Sequence, residues 1–296
     1  MIVISDPGEF RLSESVVSIG MFDGVHHGHR HVLRKLRERG VASRLPTVLV
    51  TFDPHPLSVV RPASCPAFLS TLEGRINLLA STGHVDYCLV LRFDRERSAE
   101  SAEDFVRRTL VRMLGMRALI VGENFACGKG RQGDLEYLRN LGAGLGFEVR
   151  PVPLQWSARI VNGAHCSSSE TRRLVQQGDI ASANAMLERP HELSGTVVGL
   201  SGSPCRSIDV TVSRGMCSPP VGDYVGVVKK QNVGSHWSSA LLQVRELHSE
   251  TGGHTIRLLV EKGAEIVVGD AMTVRFLANA SSVNHRVAIP AIADLK

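Results

Sequence analysis

Aromatic residues are scarce in this chain, at 5% of 296 residues, which leaves little for the base-stacking platforms that hold single-stranded nucleic acid. No apolar run approaches the roughly 18 residues of a membrane span. No charge of one sign dominates: 34 Lys and Arg stand against 29 Asp and Glu, a net +5. The basic residues are spread, with short clusters at Arg34, Lys35, Arg37 and Arg39 and at Arg107, Arg108 and Arg112. That is the pattern of solvated helix faces, not the single stripe of a nucleic-acid binder. The expected partners are small molecules, with no nucleic acid and no membrane. The first residues, Met1-Ile-Val-Ile-Ser-Asp-Pro-Gly, have no basic segment and no long apolar segment, so no signal peptide is expected and a cytoplasmic location is. Six cysteines occur without a CxxC pair, which argues against a structural zinc site and for reduced thiols.

The composition that remains is globular, with 43% hydrophobic and 21% charged residues, and the length fits two domains. Apolar runs at Val16–Ile19, Thr47–Phe52, Asp86–Phe93, Ala118–Val121 and Phe147–Val152 alternate with helical patterns at His29–Arg39, Thr71–Ser81, Ala102–Leu114 and Leu135–Leu145. Strands alternating with helices predict a doubly wound α/β domain with a parallel sheet. A further helical stretch runs from Ser169 to Leu187, broken near Gly178 and Asp179. From Glu192 the pattern changes to about six Val/Ile/Thr-rich runs separated by Gly, Ser and Pro, the signature of a small β-barrel. The expected boundary is Arg189-Pro190, giving domains over 1–189 and 190–296.

Four motifs carry chemistry. After the first strand comes Gly20-Met-Phe22-Asp23-Gly24-Val-His26-His27-Gly28-His29. Its glycines allow a tight turn, and the opening of a helix favours an anion. His26 and His29 are then hydrogen-bond donors for a phosphate chain. Read alone, an HxxH pair is also compatible with zinc or with no role, but no further ligand follows at motif spacing. The second motif, Asp53-Pro54-His55-Pro56, is a rigid loop past a strand's carboxyl end, where α/β sheets bind ligands. The third, Gly122 to Asp134 with Asn124 and Phe125, is a glycine-rich loop after the fourth predicted strand. In doubly wound sheets the first and fourth strands are often neighbours, so the first and third motifs would share a crevice. The fourth, Ser167-Ser168-Ser169-Glu170-Thr171-Arg172, begins a helix with hydroxyls and an Arg one turn in, suited to phosphate oxygens.

In this order the motifs resemble those of the bacterial riboflavin kinase/FAD synthetases, and the resemblance covers about the first 190 residues. It implies a Rossmann-like nucleotidyltransferase domain followed by a riboflavin-kinase-like barrel. The implied reaction moves AMP from ATP to FMN, with Mg²⁺ as cofactor, giving FAD and pyrophosphate. Carried over residue by residue, Gly20, Phe22, Asp23, Gly24, His26, Gly28, His29, Ser168, Ser169 and Arg172 surround ATP. His26, His29 and Arg172 are the catalytic set. Asp53, Pro54, His55, Pro56, Asn124 and Phe125 place FMN. The metal's ligands are not assigned.

The chain departs from the family in two places. Cys127 stands where the family usually has an aromatic residue, which removes a ring contact worth of order 1 kcal/mol. The barrel lacks the family's Gly-Phe-Pro-Thr-Ala-Asn run, replaced by Arg206–Val212, and Ala278–Arg286 has no acidic residue to act as general base. The expected enzyme is an FMN adenylyltransferase whose barrel has lost kinase chemistry. A nucleotidyltransferase acting on a modified flavin phosphate or another phosphorylated acceptor, and a non-catalytic flavin- or nucleotide-binding regulator, are the alternatives.

Overall fold

A computed structural model describes residues 1–5, 7–8, 10–153, 165–201, 206–231, 236–246, 254–260 and 266–282. The chain divides into two compact units. The first comprises Met1–Pro66 with Leu72–Trp156, and the second Ala67–Thr71 with Ser157–Lys296.

In the first unit six strands, β1 (Ile2–Ile4), β2 (Ser15–Ile19), β3 (Thr47–Asp53), β4 (Tyr87–Arg92), β5 (Met116–Gly122) and β6 (Glu148–Val152), form one sheet in the order β1-β4-β3-β2-β5-β6. Every pairing is parallel. The helices are α1 (His27–Ser43), α2 (Pro56–Val60), α3 (Leu72–Ser81), α4 (Arg95–Ala99), α5 (Ala102–Phe105) and α6 (Leu135–Leu145). The backbone of α5 runs on as a π-helix over Val106–Met113. The five strands read from sequence are present, and β2 does lie beside β5, with Val17 opposite Leu119. The short β1 adds a sixth strand that the sequence pattern did not mark.

Successive strand residues serve opposite faces, as the two-residue period requires. Val16, Leu49, Val90 and Ile120 pack with Leu33 and Leu36 of α1 and Leu79 of α3. Their neighbours Val17, Val48, Leu89 and Leu119 pack with Phe105, Leu110 and Leu138 on the other side. A sheet buried on both faces explains why its strands read as continuous apolar runs.

In the second unit two helices, α7 (Ser168–Gln176) and α8 (Ile180–Leu187), precede six strands: β7 (His191–Ser201), β8 (Arg206–Val212), β9 (Gly222–Lys230), β10 (Ser238–Glu246), β11 (His254–Val260) and β12 (Ala271–Asn279). The strands close into an antiparallel barrel in the order β10-β11-β8-β7-β12-β9. Alternate residues such as Leu193, Val210, Leu242, Ile256 and Phe276 fill its interior. The change of pattern at Arg189-Pro190 marks the start of the barrel strands. By packing, α7 and α8 go with the barrel, and so does Ala67–Thr71, whose Phe68 bonds Gly215 and Cys217 through its backbone at 2.7 and 2.8 Å.

Gly115 shows how tightly the first unit is closed. It follows the π-helix with φ of 58°, and its carbonyl accepts the Ser15 amide at 3.0 Å where β2 begins. A Cβ at this position would meet the Ser13 backbone oxygen. Gly115→Ala is expected to destabilise the protein by at least about 1–2 kcal/mol, the cost of a left-handed L-residue, read as a lower urea midpoint at unchanged slope.

Candidate active site

The loop after β2 is unusual in its backbone. Phe22, Gly24 and Val25 have φ of 50°, 73° and 42°. A left-handed conformation is sterically costly for a β-branched residue such as Val25, and each such position costs roughly 1–3 kcal/mol. Burial holds the loop in place: Phe22, Asp23 and Val25 are 3%, 2% and 0% exposed. Gly20 is needed here because a Cβ would come within 2.9 Å of the Phe22 ring. That ring in turn lies 4.8 Å from the His29 ring.

His26 caps α1. Its Nδ1 accepts the His29 amide at 3.3 Å, and the two rings stack with centroids 3.6 Å apart. With Nδ1 occupied as an acceptor, neutral His26 carries its proton on Nε2, an assignment that follows from the hydrogen-bond network. The first turn of α1 contains no acidic residue. The amides at the helix start and the imidazole donor thus form one electropositive corner suited to phosphate oxygens.

The loop after β3 opens with a cis peptide between Asp53 and Pro54. His55 caps α2 in the same manner as His26 caps α1: Nδ1 accepts the Leu57 amide at 3.0 Å, leaving Nε2 as the donor. His55 and Pro56 join Gly20, Phe52, Phe93, Phe105, Phe125 and Cys127 in the wall of a cavity of about 590 Å³. Phe52 meets Phe93 edge-on at 5.5 Å. Arg61, Arg97, Glu100 and Arg131 bring charge to the same wall, and Arg97 is paired with Glu100 at 2.7 Å. A flat aromatic body carrying an anionic arm fits such a lining.

Of the residues the sequence assigns to flavin, His55, Pro56 and Phe125 line this cavity, while Asp53 and Pro54 are exposed outside its wall. Asn124 lines a separate depression with Glu123, Asp134 and Arg139, and its carbonyl accepts Arg131 at 3.0 Å. Cys127 is fixed by two backbone bonds with Gly133, each 3.0 Å. Burial pushes its thiol up to about 12, so it stays protonated.

In the second unit the cap of α7 is Ser167, whose hydroxyl accepts the Glu170 amide at 3.1 Å. Ser168 and Ser169 therefore occupy the first helical positions rather than the cap. Arg172 stands half-buried one turn in, whereas its neighbour Arg173 is tied to Glu170 at 2.8 Å.

The sequence model of the FAD synthetase family matches residues 9–169, more than half of the chain. The chain belongs to the FAD synthetase family. Among curated relatives, the bifunctional riboflavin kinase/FMN adenylyltransferase of Escherichia coli K12 is 37% identical over 183 residues, covering 62% of this chain and 57% of that protein. The proteins of the same name from Pseudomonas fluorescens and Buchnera aphidicola subsp. Schizaphis graminum are 36% and 33% identical, over 62% and 63% of this chain and 57% and 58% of their own lengths. The matched region thus spans less than two thirds of these relatives. A crystal structure described as a macrolide-efflux protein from Streptococcus pneumoniae superposes with a TM-score of 0.78 at 21% identity, over 100% of this chain and 95% of that one. At that identity the likeness concerns the fold.

Sequence reading missed Phe93 and Phe105 of the cavity's aromatic wall, and gave no role to Phe52, which stands in the second motif as Thr51-Phe52-Asp53-Pro54-His55-Pro56. Phe52 and Phe93 stand at or just past the carboxyl ends of neighbouring strands, which is the signal that marks them. Because the thiolate is the reactive form, Cys127 is expected to alkylate about a thousandfold more slowly than a free thiol at mildly alkaline pH, as mapped by mass spectrometry after a timed pulse of iodoacetamide.

Proposed function

We propose that this protein is an FMN adenylyltransferase that transfers AMP from ATP to FMN, giving FAD and pyrophosphate. The observation that carries the reading is the join between two features. Ile19, Gly20 and Met21 form part of the aromatic cavity's wall and lead directly into the loop that ends on His26 and His29. A flavin ring in the cavity would have its phosphate arm beside the phosphate-binding corner. Catalysis is assigned to residues 1–189, and the reading carries with it a cytoplasmic location where ATP is available.

An FMN phosphate oxygen attacks the α-phosphorus of ATP. The new O–P bond forms as the bond to the bridging oxygen breaks, and pyrophosphate leaves with that electron pair. His26 through its Nε2–H, His29 and the amides at the start of α1 neutralise charge growing on the phosphate oxygens, and the family resemblance assigns the outer phosphates to Arg172, Ser168 and Ser169. His55 and Phe125 place the acceptor. Mg²⁺ supplies charge neutralisation on the phosphate chain when bound. Such an ion is commonly held by one or two carboxylates and by the nucleotide's own phosphates. The described residues gather no group of three or more His, Cys, Asp or Glu side chains, and that donor set suits a cation carried in by ATP. A second reading, favoured by Cys127 in the cavity wall, keeps the chemistry and takes a modified flavin phosphate as acceptor.

The test is incubation of the protein with ATP, Mg²⁺ and FMN, followed by chromatography. FAD and pyrophosphate are expected, and His29→Ala is expected to lower kcat by about 10²–10³, the usual cost of removing one such donor. No FAD from FMN, with product from another flavin phosphate, moves the assignment to the second reading. An unchanged kcat in His29→Ala removes His29 from the mechanism.

We also propose that the barrel, residues 190–296, has no riboflavin kinase activity. Arg206–Val212, which stands where the family has its nucleotide-binding turn, is a regular strand. Its one carboxylate, Asp209, faces Arg257 across the ladder and is held by two hydrogen bonds of 2.7 and 2.9 Å. The hydrogen bond from Arg257 keeps that carboxyl below its usual range, so Asp209 stays ionised and engaged. Of the segment expected to lack a general base, residues 283–286, including His285, lie outside the described residues. Riboflavin with ATP and Mg²⁺ is expected to give FMN only at background rate. Turnover comparable with FAD formation, abolished by Asp209→Ala, would show a rebuilt kinase site.

A further inference from the structure

Arg75 is a charged side chain in an apolar place. It lies on α3 in step with Leu72 and Leu79, the face that packs on the sheet, and it is only 5% exposed. A buried cation needs compensation. Two loops lie beside it: the core cluster that holds Leu72 and Leu79 of α3 also holds Phe22 and Val25, on either side of Asp23, and the end of β3 is within hydrogen-bond reach. Its Nη2 donates to the carbonyl of Phe52 at 3.1 Å, immediately before the Asp53–Pro56 loop. Burial pulls the guanidinium's pKa down, while the carboxylates of Asp23 and then Asp53 work against that, with a lesser contribution from Cys88 on β4. Asp23 is itself buried in the strained turn before His26. Arg75 does not line the cavity.

We infer that Arg75 is a positioning residue that sets the Gly20–His29 loop and the Asp53–Pro56 loop relative to one another from inside the first unit, and so aligns the donor corner with the acceptor cavity. The function of this alignment rests on the adenylyltransferase reading. The left-handed backbone at Phe22, Gly24 and Val25 is not a conformation the loop would choose alone. Packing of Phe22 and Val25 with Leu72 and Leu79 of α3 holds it there, and attraction between buried Asp23 and the guanidinium on that helix acts in the same direction. The same guanidinium grips the Phe52 carbonyl, and the Phe52 ring is cavity wall. Arginine suits the task because it stays charged when buried and offers a rigid fork of donors, whereas a buried lysine readily loses its proton.

The experiment compares wild type, Arg75→Lys and Arg75→Met. Hydrogen exchange without ligand reads the loops directly. Arg75→Met should exchange faster, by about tenfold or more, in both 20–29 and 53–61, with β5 and α6 unchanged, and Arg75→Lys should stay near wild type at neutral pH. Kinetics reads the consequence. Arg75→Met should lose about a hundredfold in kcat/KM, the scale of a small misplacement at a reacting centre. Arg75→Lys should recover most of it at neutral pH and lose it again as pH rises. The sign follows from burial, which lowers a lysine's pKa, so the neutral form that cannot hold Asp23 and Asp53 grows on the alkaline side. Cys88, whose thiol burial pushes up to about 11, stays protonated over most of that range. Exchange raised in α3 alone or uniformly, or an Arg75→Lys pH profile identical with wild type, overturns the inference. Wild type that makes no FAD overturns the functional reading instead and leaves the exchange result to decide the role of Arg75.

Discussion

Parallel pairing is the constraint on which the first unit depends. Because β2, β3 and β5 run in one direction in adjacent positions, their carboxyl ends and the loops that follow them emerge at one edge of the sheet. Three motifs separated by about a hundred residues in sequence are brought to one edge by the parallel ladder. Antiparallel placement of any one of these strands would send its loop to the opposite edge. The chemistry is then a matter of what each loop adds: a strained turn ending in stacked imidazoles, a capped loop around a cis proline, and a glycine-rich connection contributing Phe125 and Cys127.

Much of this was legible in the sequence because the relevant physics is local. Strands buried on both faces leave unbroken apolar runs, so β2 to β6 could be read directly, and the barrel's alternating strands likewise. The motif at Gly20–His29 declared its turn through glycine, and the helix it opens starts within the motif, at histidine. What was not legible depends on distant packing. The strand β1 has three residues and little burial, so its own composition says almost nothing. The cavity's aromatic wall is assembled from Phe52, Phe93, Phe105 and Phe125, which lie on four different segments. Asn124 lies in the same loop and lines an adjoining depression that shares Phe125 and Arg131 with the cavity, since a motif fixes a residue's neighbourhood more closely than its place in a wall. Arg75 lies within a helix that the sequence marked, but the residue was not singled out, because its partners belong to other segments.

The barrel separates fold from chemistry. Its closure rests on ladder hydrogen bonds and on an interior of Leu, Ile, Val and Phe side chains, and neither requires a nucleotide or a metal. The ring of pairings therefore depends on the ladder and the apolar interior, and Arg206–Val212 takes part in it as an ordinary strand. The Asp209–Arg257 pair adds a side-chain link between two neighbouring strands to that closure.

The ends of the open sheet have a consequence for the protein's behaviour in concentrated solution. An unpaired strand edge is a template for joining another chain. Of the two outer strands, β1 offers only three residues, and β6 carries Pro151, which has no amide hydrogen to donate. Among the described residues, the closed barrel presents no outer strand. Each sheet thus ends in a way that leaves intermolecular ladders little to build on, so resistance to aggregation comes from how the strands stop as well as from the charges on the surface.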